Sequence, residues 1–345
     1  MQKINITKKP EIHFGTEFKN DMILLLEKSV PRGSKIILII GKKSFQGTVE
    51  YQTLKRILLE KINIELIDEV HVESNPTWEE IIRFGKNKDN IDTILCVGGG
   101  SVIDFGKALK LHFYKNAQIF AVYTLPGSAS IVTPFAIFNN HEFKIGEHSE
   151  DIIPDYVYIN ENIILNVPAD LLKFGTFDIL AHTIESFVSK ASTNQSRIYA
   201  LKAITFLDEY IRSRSSNVLS LIKADIFAGM SEQVGLVLFP HAAGHYLTYR
   251  YGISHSLATM YFLKSFVDRL QSDGLVIPKE MSKLLTTLDT VFLSNFKKPL
   301  LLTSKDIELS IGMSEKYMPF IFSNNPVFLT KEEYLILYNA YENPK

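Results

Sequence analysis

The first half of the chain alternates short apolar runs with stretches of helical periodicity. Apolar runs predict four strands, at 35–41 (KIILIIG), which is expected to be buried, and at 64–70 (IELIDEV), 92–100 (DTILCVGGG) and 117–127 (AQIFAVYTLPG). Helices are predicted between them, at 49–62, 77–86 and 101–113. Apolar strands separated by helices are typical of a parallel sheet that is covered on both faces.

Residues 135–146 (FAIFNNHEFKIG) have a different pattern. Asn139 and Asn140 form a turn signal between two apolar runs. This pattern predicts a β-hairpin, which we expect on the edge of the parallel sheet.

The strand signal fades near Pro168, and long stretches of helical periodicity follow it. They begin with PADLLKFGTFDILAHTIESFVSK, QSRIYALKAITFLDEYIRSR and SLIKADIFAGMSEQVGLVLF. The sequence therefore predicts two domains, an α/β domain over 1–160 and an all-α domain over 161–345.

Composition narrows the possible partners and the cellular compartment. The 345 residues carry 22% charged residues and a net charge of -1, so nothing favours nucleic acid or an anionic membrane as a partner. Cys96 is the single cysteine, which excludes an intramolecular disulfide framework and a cysteine-based zinc site. No secretory h-region and no apolar run of membrane-spanning length is present. We expect a soluble, cytoplasmic protein.

Three consecutive glycines, Gly98–Gly100, stand with Ser101 between a predicted strand and a predicted helix. Glycines at such a turn let backbone N–H groups and the helix dipole approach an anion. The spacing is neither GxGxxG nor a Walker loop, and a plain tight turn is the alternative interpretation. A second loop of small residues, Thr124–Thr133, follows the next strand. Two such loops at adjacent strand ends favour a nucleotide site.

Histidine is used sparingly, yet three of the nine histidines lie within FPHAAGHYLTYRYGISHS. His241 and His245 are four residues apart, as are Asp178 and His182, so each pair shares one helix face. His255 follows after Gly252, which can end one helix before the next. A carboxylate with neutral imidazoles suits Fe²⁺ or Zn²⁺. Any one of these histidines alone is better interpreted as structural, and the spacing does not tell which of His241 and His245 would be a ligand.

These segments together resemble the iron-containing (group III) alcohol dehydrogenases, of the superfamily that holds dehydroquinate synthase, along most of the chain. PEIHFG resembles the opening strand of that family, and SNPTWEEI resembles its Asn-Pro-Thr helix start. Gly98, Gly99, Gly100, Ser101, Asp104 and Lys107 reproduce its GGGSxxDxxK signature. TLPGSASIVTPFAIF, PDYVYIN, GTFDILAHTIESFVS and HAAGHYLTYRYGISH are similar to its second loop, domain-leaving strand and metal segments.

The resemblance implies a dehydroquinate synthase-like fold with a Rossmann-like first domain, and an NAD(P)(H)-dependent alcohol dehydrogenase or aldehyde reductase. It implies metal ligation by Asp178, His182, His241 and His255, with Fe²⁺ or Zn²⁺ as the ion, and a proton-relay role for His245. The metal would polarise the substrate oxygen while hydride is exchanged with nicotinamide C4. The expected cofactor-binding residues are Gly41, Lys42, Ser44, Asn75, Gly98, Gly99, Gly100, Ser101, Asp104, Thr124, Ser128 and Thr133.

The chain also departs from the family pattern. Many members carry aspartate after the first strand, whereas this chain has Gly41 followed by Lys42, Lys43 and Ser44. That change favours NADP(H) over NAD(H), although the lysines can equally well face water. Residues with bulk or hydroxyl groups replace family proline and glycines near the last ligands, namely Tyr246, Thr248, Tyr249 and Ser256.

Those replacements make a polar or acidic sugar-like alcohol the second candidate substrate after a small aldehyde. A non-redox, dehydroquinate-synthase-like enzyme is a further alternative, as is an inactive binding module. The intact set of four metal-ligand candidates argues against the binding module. The resemblance also implies a homo-oligomer, most simply a dimer.

Overall fold

The computed structural model describes residues 2–5, 10–42, 45–61, 64–86, 90–296, 303–327, 329–330, 332–334 and 337. The chain forms two compact units. The first comprises Met1–Glu142 with Gly146–Pro168, and the second comprises Phe143–Ile145 with Ala169–Lys345.

A seven-stranded sheet forms the centre of the first unit. The strands of the chain are β1 (Gln2–Asn5), β2 (Glu11–Gly15), β3 (Lys35–Gly41), β4 (Glu65–Val72), β5 (Thr93–Gly98), β6 (Gln118–Tyr123), β7 (Phe135–Asn139), β8 (Lys144–His148) and β9 (Tyr156–Asn160). The sheet order is β1-β2-β9-β6-β5-β3-β4, in which β1 pairs antiparallel with β2 and the other pairings are parallel. The predicted parallel sheet is confirmed.

Burial explains why the apolar runs form the central strands. Every residue of β5 and the five central residues of β3 are buried, so both strands have to be covered on both faces. The helices that connect these strands are α1 (Phe18–Ser29), α2 (Val49–Arg56), α3 (Trp78–Gly85) and α4 (Gly100–His112), with a π-helical turn at Ile57–Lys61 and a 3₁₀ turn at Glu150–Ile152. Helix α5 (Glu161–Leu165) follows the last strand, β9.

The hairpin is present, but its predicted position on the edge of the main sheet is wrong. β7 and β8 form a separate two-stranded sheet, and the edges of the main sheet are β1 and β4. The alternation of β7 buries Ala136 and Phe138, and Phe138 stacks on Trp78 with ring centroids 5.7 Å apart. Packing of its buried face thus holds the hairpin beside the sheet instead of in it.

The second unit is helical in its described residues from Ala169 onward. Its helices are α6 (Ala169–Val188), α7 (Asn194–Arg212), α8 (Val218–Gly235), α9 (Phe239–Tyr251), α10 (His255–Ser272), α11 (Lys279–Asn295), α12 (Ser304–Tyr317) and α13 (Phe320–Asn324). Gly252 takes a left-handed conformation with φ 67° and ends α9, as its position predicted. In the described part of the chain, no helix combines the length and the apolar character that a membrane crossing needs.

Candidate metal centre and glycine loop

One face of α6 carries three buried polar residues. Asp178, His182 and Glu185 follow one another at helical spacing, and each is less than a tenth exposed. Polar groups buried to this degree need partners inside the protein, because their contacts with water are lost. This face of the helix is therefore the first part of a candidate site.

Helices α9 and α10 carry the remaining histidines of the site. The two helices approach each other closely, which brings these rings together. A Cβ atom on Gly244 would lie 2.7 Å from Thr259 Oγ1 and 3.0 Å from the backbone nitrogen of Thr259. Only glycine permits this approach without a shift of one helix. The ring centroid of His255, the first residue of α10, lies 5.3 Å from that of His241 and 4.8 Å from that of His245.

Among the described residues, Asp178, His241 and His255 form one group that could hold a metal ion, with candidate ligand atoms all within 4.8 Å of one another. Asp178 Oδ1, His241 Nε2 and His255 Nδ1 have no hydrogen-bond partner within the described structure. Buried polar atoms are rarely left without partners. A divalent cation would satisfy all three atoms, so these residues fit the ion that the resemblance implies.

His182, the fourth expected ligand, lies beside this group. Its ring stacks on His241 with centroids 4.4 Å apart and planes at 22°. Its Nδ1 also has no hydrogen-bond partner among the described residues, while its Nε2 is 3.7 Å from Glu232 Oε2. The structure thus brings three expected ligands together and leaves the fourth in ring contact with one of them.

Burial dominates the electrostatics of this group. Loss of hydration lowers the pKa of His241 to about 3 and holds the pKa values of His182 and His255 well below the ordinary histidine value. Burial also raises the pKa of Asp178 to about 8, against an opposing effect of the Lys144 charge. The imidazoles are therefore neutral and have lone pairs available for a metal. A divalent cation would stabilise the ionised form of the Asp178 carboxylate, which burial alone disfavours.

Glu185 is a residue of this site that the sequence analysis missed. It is fully buried, its Oε1 lies 2.6 Å from His241 Nδ1, and its Oε2 accepts from the backbone N–H of Leu238 at 2.6 Å. Burial raises its pKa to about 8, although backbone hydrogen bonds from Leu238 and His241 oppose the rise. Its spacing of seven residues from Asp178 was the available signal.

His245 and Lys144 meet through the backbone. His245 is buried and its Nδ1 lies 3.2 Å from the carbonyl oxygen of Lys144. Lys144 is itself buried, and its charge lowers the pKa values of His245 and His255 after burial has done so. Lys144 was also missed, and its only signal was a lysine within a strand pattern.

The glycine loop has the geometry that its sequence predicts. Gly98 ends β5, Gly99 is the N-cap of α4, and α4 begins at Gly100. A Cβ atom on Gly100 would lie 2.5 Å from Ser128 Cβ. The glycine loop and the second loop are therefore in contact, which requires glycine at position 100.

Asn75 brings a third loop to the same helix N-terminus. Its backbone N–H donates to Ser101 Oγ at 3.4 Å, and its φ of 62° lies in the left-handed region that asparagine tolerates. Loops that follow β4, β5 and β6 thus meet at the start of α4. The structure brings together Asn75, Gly98, Gly99, Gly100, Ser101 and Ser128.

Asp104, Lys107 and Thr133 lie deeper in the same unit and have structural contacts. The Lys107 ammonium is fully buried, donates to the carbonyl oxygens of Thr133 and Phe135 at 2.8 and 2.7 Å, and lies 3.8 Å from Asp104 Oδ1. These contacts fix the end of the second loop. The expected cofactor contacts of Asp104 and Thr133 stay predictions.

The other expected cofactor residues lie at or just beyond strand ends. The backbone N–H of Thr124 donates to the Gly98 carbonyl at 3.1 Å, next to the glycine loop. Gly41 ends β3, and Lys42 Nζ lies 2.9 Å from Glu73 Oε1 with both side chains about half exposed. Lys43 and Ser44 lie outside the described residues.

The comparison with a family model gives a match in the first unit of the chain. Residues 10–161 match the family model of the iron-containing alcohol dehydrogenases. The bifunctional aldehyde-alcohol dehydrogenase of Escherichia coli K12 is 25% identical over 281 residues, which cover 70% of this chain and 31% of that protein. NADH-dependent butanol dehydrogenase A of Clostridium acetobutylicum is 27% identical over 200 residues, which cover 52% of this chain and 50% of that protein. The chain thus spans between about a third and a half of the length of these two relatives.

Solved structures share the fold over nearly the whole length. An archaeal halo-thermophilic alcohol dehydrogenase from a Red Sea brine pool superposes with a TM-score of 0.84 and 19% identity, covering 99% of each chain. This likeness confirms the predicted fold class, including the helical second half that contains the candidate metal centre.

Proposed function

We propose that this chain, which carries an iron-containing alcohol dehydrogenase domain at residues 10–161, is a metal-dependent alcohol dehydrogenase or aldehyde reductase that uses NAD(P)(H). One observation carries this proposal. The candidate ligand atoms of Asp178, His241 and His255 lie within 4.8 Å of one another, and each of these residues has an oxygen or nitrogen without a hydrogen-bond partner among the described residues.

The residues that would hold the ion are Asp178, His182, His241 and His255. Fe²⁺ is the proposed metal, with Zn²⁺ as the alternative, because both accept one carboxylate with imidazoles. When bound, the ion would supply a Lewis acid for the substrate oxygen, and the nicotinamide would supply or accept the hydride.

His245 is proposed to move the proton that accompanies hydride transfer. If its Nδ1–H donates to the Lys144 carbonyl at 3.2 Å, its Nε2 carries no proton and can accept one. Burial holds the pKa of His245 well below its ordinary value, so the ring is neutral at physiological pH. A neutral ring in a fixed tautomer has the form required of a general base.

The start of α4 is proposed to hold the cofactor pyrophosphate. Gly99 and Gly100 expose backbone N–H groups at a helix N-terminus, and Ser101 adds a hydroxyl. Asn75, Thr124 and Ser128 come from the neighbouring loops. Asp104 and Thr133 would act through Lys107, by holding the second loop in place.

NADP(H) is proposed as the preferred cofactor because Gly41 offers no carboxylate to repel a 2′-phosphate. The Lys42–Glu73 ion pair weakens the attraction that Lys42 would exert on that phosphate. A Gly41→Asp variant tests this preference. We expect the NADPH/NADH ratio of kcat/KM to fall by about tenfold or more, since a like charge disfavours the phosphate. An unchanged ratio would contradict the proposal that the 2′-phosphate of the cofactor lies next to Gly41.

A polar sugar-like or acidic alcohol stays the second candidate substrate, and one hydroxyl supports it. Thr248 is buried on the face of α9 that carries His241 and His245, and its Oγ1 has no hydrogen-bond partner in the described part of the chain. A substrate hydroxyl would satisfy it. Tyr246, by contrast, already donates to Asp306 Oδ1 at 3.2 Å.

The remaining parts of the proposal concern location and assembly. We propose a homodimer that acts on a small molecule, because the resemblance implies this assembly and this kind of substrate. We propose a cytoplasmic location because of the composition of the chain.

The test of the function is cofactor oxidation by protein reconstituted anaerobically with Fe²⁺ or Zn²⁺. NADPH and NADH would be used separately, with small, acidic and sugar aldehydes as substrates. We expect aldehyde-dependent oxidation that requires metal and is lost in Asp178→Asn. Stoichiometric metal binding without oxidation of either cofactor would overturn the redox proposal and favour the non-redox alternative.

A further inference from the structure

We infer that Glu185 is a positioning residue of the metal centre, which fixes the tautomer of His241 and holds the N-terminus of α9. This inference rests on the proposed metal site. Glu185 reaches the group formed by Asp178, His241 and His255 through His241 Nδ1.

The two carboxylate oxygens of Glu185 serve different donors. Oε1 lies 2.6 Å from His241 Nδ1, and Oε2 lies 2.6 Å from the backbone nitrogen of Leu238. An ionised carboxylate accepts only, so beside ionised Glu185 the proton of a neutral His241 ring belongs on Nδ1. The opposite atom, Nε2, is then left with a lone pair, and it is the atom of His241 without a hydrogen-bond partner among the described residues.

The same side chain caps helix α9. Leu238 is the N-cap residue of α9, and its own side chain makes no capping bond. The Glu185 oxygen accepts from the Leu238 N–H, and the ionised carboxylate places a negative charge at this N-terminus, where the helix dipole favours an anion. His241 is the third residue of α9, so one carboxylate fixes both the start of the helix and the ring that this start carries.

The segment that leads into α9 is strained. Leu236 has φ 62° and ψ 172°, a conformation that is almost confined to glycine. Just before it, a Cβ atom on Gly235 would lie 2.3 Å from the carbonyl oxygen of Ser186, so the end of α8 presses on α6 beside Glu185. Surrounding contacts have to hold such a conformation, and the bond from Leu238 N–H to Glu185 is one of them.

Glu185→Gln changes the shape of the side chain little but replaces one of its two acceptor oxygens by a donor nitrogen. If the amide oxygen accepts from Leu238, the amide nitrogen donates to His241 Nδ1, and the ring proton moves to Nε2, the metal-facing atom. If the amide oxygen accepts from His241 instead, the Leu238 N–H faces a second donor. The first arrangement places a proton on the nitrogen that would bind the metal. The second leaves the Leu238 N–H at the start of α9 without an acceptor.

The experiment compares Glu185→Gln with Ser186→Ala by competition of each protein with a chelator for Zn²⁺. Ser186→Ala is the matched control, because it removes the buried 2.7 Å bond to Ser231 from the neighbouring position of the same helix. We expect Zn²⁺ affinity to fall by about 10- to 100-fold in Glu185→Gln, as for other residues that hydrogen-bond to a metal-binding histidine. The affinity of Ser186→Ala should stay that of the wild type, even if its melting temperature falls.

A second measurement does not depend on the variant folding. ¹⁵N spectra of the metal-free wild type above pH 8, where the Glu185 carboxyl is ionised, should show the proton on Nδ1 when His241 is assigned through a His241→Asn variant. A proton on Nε2 would overturn the inference, as would unchanged Zn²⁺ affinity in Glu185→Gln. A wild type that binds neither Zn²⁺ nor Fe²⁺ would instead overturn the proposed function and leave the tautomer measurement as the test of Glu185.

Discussion

At the scale of single residues, burial and one neighbouring donor determine what Asp178, His241 and Glu185 can do. His241 is 2% exposed, and in the inferred tautomer it donates its Nδ1 proton to Glu185, which leaves Nε2 for a ligand. Asp178 keeps one oxygen without a partner among the described residues, at a position where ionisation is costly. A cation next to these atoms would stabilise the ionised form of the carboxylate.

Replacement of Asp178 by asparagine should therefore separate metal binding from stability. We expect Zn²⁺ affinity to fall by more than about 100-fold, because the anionic ligand itself is lost. The metal-free variant should nevertheless melt no lower than metal-free wild type at pH 8, since a buried carboxylate has been removed. Chelator competition and thermal melts check both parts, and a strongly lowered melting temperature without metal would contradict the role given to burial.

The stability of the metal-free protein should also depend on pH in a definite direction. Asp178 and Glu185 have folded-state pKa values raised to about 8, above the ordinary carboxyl values. Groups with a raised pKa contribute most to stability below the unfolded-state pKa, and that contribution is lost as pH rises through the folded-state value. Stability should fall between about pH 4 and pH 8.

Urea unfolding at several pH values, with and without Zn²⁺, measures this effect. Bound metal should flatten the fall, because it favours the ionised carboxylates. Metal-free Asp178→Asn should show a smaller fall than wild type. A metal-free stability that rises from pH 4 to pH 8 would count against the buried state of both carboxylates.

Sequence reasoning reached the candidate metal ligands but not the residues that contact them. The two pairs spaced by four residues and the later His255 are visible in the chain, whereas the partners of a residue on another helix are not. Glu185 meets Leu238 and His241 only because α6 packs against the start of α9. Lys144 was missed for the same reason, since it reaches His245 over 101 positions of sequence.

At the scale of elements, close approaches between backbones position both sites. Gly244 allows α9 to lie against α10 at Thr259, and Gly100 allows the glycine loop to touch Ser128. Element types followed from periodicity in both halves of the chain. The hairpin was misplaced because apolar alternation shows that one face of β7 is buried, but not what buries it.

Gly100→Ala should weaken cofactor binding. The new methyl group would lie 2.5 Å from Ser128 Cβ and force the two loops apart. We expect the dissociation constant for the reduced cofactor to rise by about tenfold, which corresponds to ~1.4 kcal/mol. Titration of nicotinamide fluorescence measures it.

Gly312→Ala is the control for this change. It lies within α12, and a Cβ atom there would meet nothing within 4 Å. Helix propensity predicts that it stabilises the protein by about 0.5–1 kcal/mol and leaves cofactor affinity unchanged. Equal cofactor affinities in both variants would show that the contact at Ser128 does not shape the loop.

Gly244→Ala tests the corresponding contact at the metal centre. Its methyl group would press on Thr259, one turn after His255, and should move α10 away from α9. We expect Zn²⁺ affinity to fall by about tenfold or more, while cofactor affinity, which belongs to the other unit, is retained. Loss of both affinities together would indicate general unfolding instead.

At the scale of the whole molecule, the two kinds of resemblance cover different parts of the chain. The family model ends at residue 161, before Asp178 and the histidines of the candidate centre. The fold likeness covers 99% of the chain at 19% identity and therefore carries no chemistry by itself. The metal assignment consequently depends on the positions of the donor atoms in the second unit.

Metal should stabilise the whole protein by mass action. At a free Zn²⁺ concentration of about 100 times the dissociation constant, unfolding should cost about 2.7 kcal/mol more than without metal. Melts in Zn²⁺ and in chelator measure the difference, and Asp178→Asn should not show it. A wild-type melting temperature that is the same in Zn²⁺ and in chelator would exclude a specific metal site in the folded chain.

The most direct measurement is anomalous diffraction from crystals of the protein loaded anaerobically with Fe²⁺, recorded at the iron edge. We predict one iron atom per chain, bound by Asp178, His241 and His255 with His182 completing the set. Iron at another position, or Asp178 and His241 without metal at full loading, would contradict the proposed centre and the mechanism derived from it.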